Sequence, residues 1–376
     1  MGSSRFLTLE NGRVFKGKPF GAGGEVTAEI VFTTGMTGYL ETLTDPSYYG
    51  QMVVQSFPLI GNYGVIPADF ESEKPALAAY IVRSWCQNPS NFRSEEDLDT
   101  FLLSQGIVGI WGVDTRELIR IIREYGVMNA AIADEPKDSK AELEKLRAYR
   151  VEGAVEAVSK GGAYPAAGDR AARRVALWDF GAKRNIAREL AGRGCEVVCV
   201  RAAATAEEIL ALKPDGIMLS NGPGDPAENT GVIRELKTLC GAGVPIFGIC
   251  LGHQLLALAN GGATMKLKYG HRGANQPVQE TQSGRVFITS QNHGYAVCLG
   301  DSLPERAKPS FLNLNDGTCE GMEYEGIDAF SVQFHPEACA GPLDTRFLFD
   351  RFVARMERHT ATEKTLSGAK GESKCH

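Results

Sequence analysis

Residues 244–262, "VPIFGICLGHQLLALANGG", join a short apolar strand to a helix through a cysteine that stands between Gly248 and Gly252. The order strand, Gly-x-Cys-x-Gly, helix matches a nucleophile elbow, a sharp turn that exposes a reactive side chain. A helix that begins at Leu251 would direct its N-terminal N–H groups at the sulfur of Cys250 and favour the thiolate. The structural alternative is an ordinary buried cysteine at the end of a strand.

The sequence around this stretch alternates short apolar strands with helices from residue 174 onward. "RVALWDFG", "CEVVCV", "GIMLSNGPG" and "VPIFGIC" read as strands, and helical segments separate them. This rhythm predicts an α/β fold with a doubly wound, mainly parallel sheet and helices on both faces. Right-handed crossovers would bring the carboxyl ends of the strands to one edge, where ligands bind. Asp179, Gly222 and Cys250 would all lie at that edge.

The first part of the chain has a different pattern, rich in strand candidates, which predicts a mixed β/α domain. In "FLTLENGRVFKG", Asn11-Gly12 separates two alternating runs, which indicates a β-hairpin with a two-residue turn. The stretches "EVTAEIVFTTG", "QMVVQSFPL" and "AAYIVRSW" are further strand candidates, and helices are predicted to begin near Ser94 and near Asp114. The predicted organisation is an N-terminal domain over 1–158, a linker over 159–173, an α/β domain over 174–358 and a disordered tail over 359–376.

Composition limits the classes of partner. The chain has 376 residues, enough for two domains, and a net charge of −6 without a basic run, so neither nucleic acid nor a membrane is expected as a partner. Nine cysteines without an export signal indicate a reducing compartment, and we predict the cytoplasm, with an organelle reached through a trimmed transit peptide as the alternative. Cys195 and Cys199 are the only close pair, but they lie in a strand pattern, so no metal site is predicted.

A thiolate that attacks an acyl carbon needs a group that accepts and returns a proton. His335 is the best placed histidine, because the strand in "AFSVQFHPEA" ends there at Pro336. Glu337 lies two residues further and would share one side with the imidazole, so it could orient the ring. An incidental His–Glu pair at a surface strand end is the alternative.

Acyl transfer also needs donors for the oxyanion. The elbow geometry assigns one donor to the backbone N–H of Leu251, and the glycine-rich turn "SNGPGDP" (220–226) could supply a second. That turn could equally be an ordinary tight turn. It is not a phosphate loop, because the Walker spacing and its lysine are absent.

Together, "GICLGHQ", "SNGPGDP" and "FHPEA" resemble the class I, triad-type glutamine amidotransferase domain over about 174–355. The segments "TTGMTGYLETLTDPSYYGQMVV" (33–54) and "DFGAKRNI" (179–186) are similar to the small, glutamine-hydrolysing subunit family of carbamoyl phosphate synthetases. The resemblance covers nearly the whole chain apart from the tail.

The resemblance implies that Cys250 attacks the side-chain amide of L-glutamine to form a thioester, that His335 acts as base and then as acid, and that Glu337 orients it. It further implies that Gly222 and Leu251 stabilise the oxyanion through their backbone. Many relatives carry Phe at the position of Tyr295, which matters little if the contact is through backbone. The implied substrate-binding positions are Ser47, Gly222, Gly224, Leu251, Gln254, Asn292, Gly294 and Tyr295. Since Ser47 lies in the N-terminal domain, the pocket is expected to be completed across the domain interface.

The resemblance also implies a heterodimer with a large synthetase subunit that receives the ammonia and makes carbamoyl phosphate for arginine and pyrimidine synthesis. No cofactor is expected in this chain, and ATP and Mg²⁺ are expected only on the partner. Two alternatives stay open: an amidotransferase subunit of another pathway, which the 1–158 domain and Ser47 disfavour, and a non-catalytic glutamine-binding regulatory subunit, which the complete Cys-His-Glu set disfavours. A cysteine hydrolase of γ-glutamyl peptides fits the N-terminal domain poorly.

Overall fold

The structure is a computed structural model that describes residues 4–163, 173–303 and 306–371. It forms two compact units. The first unit comprises Met1–Val158, Lys266–Asn275 and Asn292–Gly294, and the second comprises Ser159–Met265, Gln276–Gln291 and Tyr295–His376. No helix among the described residues is both long enough and apolar enough to cross a membrane.

Strands dominate the first part of the chain. The strands are β1 Arg5–Leu9, β2 Val14–Gly21, β3 Val26–Thr33, β4 Gln51–Gln55, β5 Leu59–Ile60, β6 Ala79–Val82, β7 Ser84–Trp85, β8 Val108–Trp111 and β9 Met128–Ala133. The helices are α1 Tyr39–Leu43, α2 Leu98–Ser104, α3 Thr115–Tyr125, α4 Lys140–Ala148 and α5 Ala154–Val158. Seven of the strands close into a barrel in the order β1-β2-β8-β6-β4-β3-β9, while β5 pairs with β7. One apolar cluster of this unit takes inward residues from facing barrel strands, among them Leu7, Ile30 and Ile110, all fully buried.

The predicted N-terminal hairpin is confirmed, but its turn differs. β1 and β2 pair antiparallel, and the Leu9 N–H donates to the Arg13 carbonyl across the loop. A two-residue type I′ turn needs positive φ at both central positions. Among the non-glycine residues of the described chain, positive φ occurs only at Lys213 and Cys250, so Asn11 does not adopt it, whereas Gly12 has φ +88°. The loop is therefore longer than predicted.

Four further elements of this unit differ from the sequence prediction: one helix, one divided strand, and the strands β8 and β9. The helix predicted near Ser94 begins at Leu98, because Asp97 caps it by accepting from the Thr100 N–H and the preceding residues bridge to Val65. The strand read as "AAYIVRSW" is divided into β6 and β7. Strands β8 and β9 were not predicted, and they are needed to close the barrel. The helix predicted from Asp114 is confirmed as α3, which Asp114 caps and Gly126 ends.

The second part of the chain alternates strands and helices as predicted. The strands are β10 Gly162–Ala163, β11 Arg173–Asp179, β12 Cys195–Arg201, β13 Gly216–Leu219, β14 Ile246–Ile249, β15 Thr264–Glu280, β16 Val286–Val297, β17 Ala307–Asn313, β18 Cys319–Tyr324 and β19 Ala329–Val332. The helices are α6 Arg184–Ala191, α7 Ala206–Ala211, α8 Thr230–Cys240, α9 Leu251–Ala259 and α10 Phe347–Gly371. They form one ten-stranded sheet in the order β10-β12-β11-β13-β14-β19-β18-β17-β15-β16.

The centre of this sheet places the candidate site. β12, β11, β13, β14 and β19 are neighbours and run parallel, while the strands beyond β19 are antiparallel. The strand order reverses between β11 and β13, so right-handed crossovers send helices to both faces. The predicted doubly wound α/β fold is confirmed. The turns after β11, β13, β14 and β19 therefore meet at one edge, above a core that includes Phe247, Phe330 and Phe349.

Two predicted segments of low regularity have more structure than expected. Within the segment predicted as a linker over 159–173, Gly162–Ala163 forms β10 and pairs with β12, and residues 164–172 lie outside the described part. The prediction of a disordered tail over 359–376 is wrong for residues 359–371, because α10 continues to Gly371. Residues 359–371 contain no proline and include alanine, glutamate and lysine, which favour a helix. Residues 372–376 lie outside the described part.

Candidate active site

Cys250 occupies the turn between β14 and α9 in a strained backbone conformation. Its φ of 53° and ψ of −103° are rarely adopted by residues with a side chain. The Cys250 N–H donates to the Val332 carbonyl at 2.9 Å, and the Gly252 N–H donates to the Ser220 carbonyl at 3.0 Å. A Cβ at Gly248 would lie 2.8 Å from the Gly252 carbonyl oxygen. The flanking glycines therefore allow the close packing that holds the cysteine in this conformation.

His335 lies three residues beyond the end of β19. Its N–H donates to the Ser290 carbonyl at 2.9 Å, which fixes the backbone of this turn. The imidazole Nδ1 lies 2.7 Å from Glu337 Oε1, and both side chains are buried. With the proton on Nδ1, the ring donates to the carboxylate and keeps Nε2 available for chemistry. Nε2 is buried, and the Cys250 sulfur interacts with the ring.

The charges around the imidazole favour its protonated form. Burial and the Lys183 ammonium oppose the positive charge, but the Glu337 carboxylate and the Cys250 sulfur outweigh them and raise the pKa of His335 to about 10. Burial by itself would raise the pKa of Glu337, whereas His335 and Lys183 outweigh it and lower the pKa of that carboxyl. The arrangement therefore suits an imidazolium beside a thiolate, with an ionised carboxylate behind the ring.

Lys183 is a member of this cluster that residue-by-residue reasoning did not single out. Its Nζ lies 3.4 Å from His335 Nδ1 and 3.7 Å from Glu337 Oε1, and the side chain is mostly buried. The turn after β11 holds it there. Asp179 accepts from the Gly181 and Ala182 N–H groups, and the Lys183 N–H donates to Asn221 Oδ1 at 3.0 Å. Asp179 therefore stabilises this turn through hydrogen bonds to its backbone N–H groups.

The predicted oxyanion donors lie together in the second unit. A Cβ at Gly222 would lie 2.3 Å from the Phe180 carbonyl oxygen and 2.7 Å from the Leu251 side chain. Only glycine fits at this position, and its backbone packs against the first residue of α9. The N–H of Leu251 is one of the first helical N–H groups, which have no acceptor within the helix. Gly224 follows in the same turn with φ +86°.

Gln254 lies one turn into α9 and its amide orientation is fixed. Nε2 donates to the Tyr295 carbonyl at 2.8 Å and to Gln333 Oε1 at 2.9 Å. Both amide hydrogens are thereby used, so a ligand that contacts this side chain would donate to its Oε1. Tyr295 contributes to this arrangement through its backbone carbonyl.

The remaining predicted substrate-binding residues belong to the first unit. Ser47 lies in a short 3-10 helix, Pro46–Tyr48, and its N–H donates to Asp45 Oδ1 at 2.9 Å. Asn292 Nδ2 donates to the other oxygen of the same carboxylate at 3.0 Å. Gly294 belongs to the same short segment of this unit. The structure thus brings Ser47 and Asn292 together through Asp45.

Comparison with known proteins agrees with both halves of this description. The family model "Glutamine amidotransferase class-I" matches residues 176–355, and "Carbamoyl-phosphate synthase small chain, CPSase domain" matches residues 7–132. The carbamoyl phosphate synthase small chain of Symbiobacterium thermophilum is 47% identical over 365 residues, which covers 95% of this chain and 100% of that protein. The protein of the same name from Clostridium perfringens is 49% identical, with 92% of this chain and 98% of that protein covered. This chain belongs to the carbamoyl phosphate synthase small chain family.

Membership of the small chain family settles the class of protein. The chain is the glutamine amidotransferase subunit of a carbamoyl phosphate synthase, and the designation small chain implies a large partner subunit. Within this small chain, the second unit carries Cys250, His335 and Glu337 at adjoining strand ends, and the first unit carries Ser47 and Asn292.

Three other side chains that could titrate or bind a metal have structural roles in the small chain. His253 is fully buried beside the nucleophile, its Nδ1 lies 2.8 Å from Ser331 Oγ, and burial lowers its pKa to about 3. It is therefore neutral at physiological pH, as a packed side chain would be. Cys195 and Cys199 are buried in β12, and burial raises the pKa of both thiols, which favours packing over metal binding.

Sequence reasoning missed Lys183, Asp45 and Gln333. Each acts on a predicted residue through a side-chain contact. Lys183 and Asp45 stood inside "DFGAKRNI" and "TDPSYYGQ", the segments that carried the family resemblance, which was the only signal available for them.

Proposed function

We propose that this small chain hydrolyses L-glutamine to glutamate and ammonia through a thioester on Cys250 and delivers the ammonia to its large partner for carbamoyl phosphate synthesis. The observation that carries the proposal is the buried Glu337–His335 pair beside a cysteine in an elbow, with the Gly222 turn packed against Leu251. Each of these groups has a defined task in acyl transfer.

In the first half-reaction the Cys250 thiolate attacks the side-chain amide carbon of glutamine. A carbon–sulfur bond forms, and the carbonyl π electrons move to oxygen, where the N–H groups of Gly222 and Leu251 would stabilise the charge. The intermediate collapses as the carbon–nitrogen bond breaks. The His335 imidazolium gives its proton to the departing nitrogen, which leaves as ammonia, and the γ-glutamyl thioester remains.

In the second half-reaction water replaces ammonia. The neutral imidazole of His335 accepts a proton from water as the oxygen attacks the thioester carbon. The same donors stabilise the second oxyanion, the carbon–sulfur bond breaks, and glutamate leaves. Glu337 keeps the ring in the correct tautomer and stabilises its charged form in both steps.

The α-ammonium and α-carboxylate groups of glutamine would be bound by residues other than Cys250, His335 and Glu337. Gln254 Oε1 is oriented to accept from the α-ammonium group, because the Gln254 amide hydrogens are already used by Tyr295 and Gln333. Ser47, Gly224, Asn292 and Gly294 complete the proposed set of binding residues. Recognition of both ends of the amino acid would separate glutamine from simple amides.

The large subunit would carry the steps that need ATP and Mg²⁺, and we propose no cofactor for this chain. The product would supply arginine and pyrimidine synthesis in the cytoplasm. Both proposals rest on the family to which the chain belongs.

The test is glutamine-dependent ammonia release by the chain in complex with its large subunit, with wild type compared to Cys250→Ser. We expect loss of glutamine-dependent carbamoyl phosphate synthesis in Cys250→Ser, while synthesis from added ammonia persists. Full glutamine hydrolysis by the Cys250→Ser complex would refute the thioester route.

Ser47→Ala tests the binding assignment separately. It should raise KM for glutamine more than it lowers kcat, because it removes a contact made in both the ground state and the transition state. A fall in kcat with unchanged KM would contradict the placement of Ser47 at the amino acid end.

A further inference from the structure

Asp45 holds together two segments of the first unit that are 247 residues apart in the sequence. Each oxygen of its carboxylate accepts a hydrogen bond from a different one of these two segments. Oδ1 accepts from the backbone N–H of Ser47 at 2.9 Å, and Oδ2 accepts from the side-chain amide of Asn292 at 3.0 Å. Asp45 is only 3% exposed, while Ser47 and Asn292 are each slightly more exposed, at 9% and 8%.

Local helix capping does not account for this burial. Asp225 begins another 3-10 helix with the same Asp-Pro order and accepts from the Ala227 N–H at 2.9 Å. That capping residue is only partly buried. A buried carboxylate loses hydration and is tolerated where it is well hydrogen-bonded. The contact of Asp45 with Asn292 therefore has a role beyond capping Pro46–Tyr48.

The two partners of Asp45 are the residues to which the proposed function assigns the amino acid end of glutamine. The bond to the Ser47 N–H fixes the short helix that presents the Ser47 side chain. The bond to Asn292 Nδ2 uses one amide hydrogen and so fixes which way the amide oxygen points. One carboxylate thus sets the relative position of both substrate-binding side chains.

We propose that Asp45 is a positioning residue for glutamine binding, which it serves by holding Ser47 and Asn292 in one fixed arrangement. The inference rests on the proposed glutamine hydrolysis, and it adds a residue to that site. Asp45 acts through its two partners, so its loss should weaken substrate binding and leave the reactivity of the Cys250 thiolate intact.

Asp45→Asn is the variant of choice, because asparagine caps helices as well as aspartate and keeps one oxygen for the Ser47 N–H. Its amide nitrogen would face the Asn292 amide nitrogen, donor against donor. Loss of a hydrogen bond to a charged group predicts that KM for glutamine rises about 10- to 100-fold. The rate of synthesis from added ammonia and the alkylation rate of Cys250 by iodoacetamide should stay within about twofold of wild type.

Asp114→Asn is the matched control. Asp114 also caps a helix of the first unit, through the Glu117 N–H, and the same charge is removed there. We expect wild-type KM for this variant. Asp45→Ser supplies a second test, since serine can cap the Pro46–Tyr48 helix but is too short to reach Asn292, and it should raise KM as Asp45→Asn does.

A double-mutant cycle tests the route of action. If Asp45 acts partly through Asn292, Asp45→Asn should raise KM less in an Asn292→Ala background than in wild type. If the wild-type complex hydrolyses glutamine and Asp45→Asn has the same KM for glutamine, the inference is overturned while the proposed function stands. Failure of both Asp45 variants to fold would also overturn it, because the carboxylate would then be a requirement of the fold. Absence of glutamine hydrolysis in wild type would instead refute the proposed function.

Discussion

Gly252→Ala tests whether close packing behind the elbow holds the nucleophile in place. A Cβ at position 252 would lie 2.5 Å from the carbonyl oxygen of Leu219 and 2.6 Å from the Leu219 Cβ. Ordinary van der Waals contact begins at 3.4 Å, so α9 must move away from β13 by roughly 0.9 Å or β13 must deform. The same displacement would move Cys250 and Leu251, which precede the glycine directly.

The magnitude follows from two opposing terms. Overpacking of this kind costs about 1–3 kcal/mol, and the higher helix propensity of alanine offsets up to about 1 kcal/mol. With an offset of about 1 kcal/mol, the net loss is up to about 2 kcal/mol, which predicts that the Tm of the second unit falls by up to about 8 °C. A shift close to 1 Å in the reacting groups predicts a decrease in kcat of about 10²-fold.

Gly231→Ala is the control, because Gly231 is likewise the second residue of its helix, α8, and a Cβ there would meet nothing within 4 Å. Calorimetry of both variants and glutamine-dependent ammonia release by their complexes provide the comparison. The control should keep the wild-type kcat and an equal or slightly higher Tm. Equal Tm and equal kcat in Gly252→Ala and Gly231→Ala would refute the reasoning.

Two further predictions concern the charges around His335. Since the Lys183 ammonium lowers the pKa of His335, Lys183→Met should move the basic limb of the pH profile of kcat/KM for glutamine to higher pH, and an unmoved limb would show that the ammonium does not act on the ring. Because the pKa of His335 is raised from 6.5 to about 10, its protonation stabilises the fold fully below pH 6.5, and this stabilisation is lost as the pH rises toward 10. The free energy of unfolding, measured in urea, should therefore fall between pH 7 and 10. For wild type the slope should be steeper than for His335→Asn, by up to about 1.4 kcal/mol per pH unit. Parallel curves for the two proteins would contradict a raised pKa of His335.

The α/β unit could be predicted from sequence because its rules are local. A short apolar strand, a turn and a helix repeat in order, and right-handed crossovers then bring the strand ends to one edge. Cys250 follows β14, and His335 lies just beyond β19, the strand beside it. Their proximity therefore follows from strand order, and no side-chain contact had to be known in advance.

The barrel of the first unit could not be predicted in the same way. Its closure depends on β8 pairing with β2 and β6, and on β9 pairing with β1 and β3. β8 is branched and aromatic but holds only four residues, one of them a glycine, and β9 contains three alanines, so one signal is too short and the other too weak to mark a strand. Pairing with partners far away in the sequence outweighs this weak local preference.

The missed site residues differ from the found ones in how the chain positions them. The backbone conformation of Cys250 is set by its own glycines and by hydrogen bonds from adjoining strands, all of which a motif can encode. Lys183 reaches the imidazole only because the turn before it is tied to Asn221, and Asp45 reaches Asn292 only in the folded first unit. The position of the nucleophile Cys250 thus follows from strand order and from the backbone conformation of its turn. The positions of Lys183, which changes a pKa, and of Asp45, which holds a binding residue, depend instead on side-chain contacts between distant segments. The predicted effects of Lys183→Met and Asp45→Asn, a shifted pH limb and a raised KM, are the effects expected of such groups.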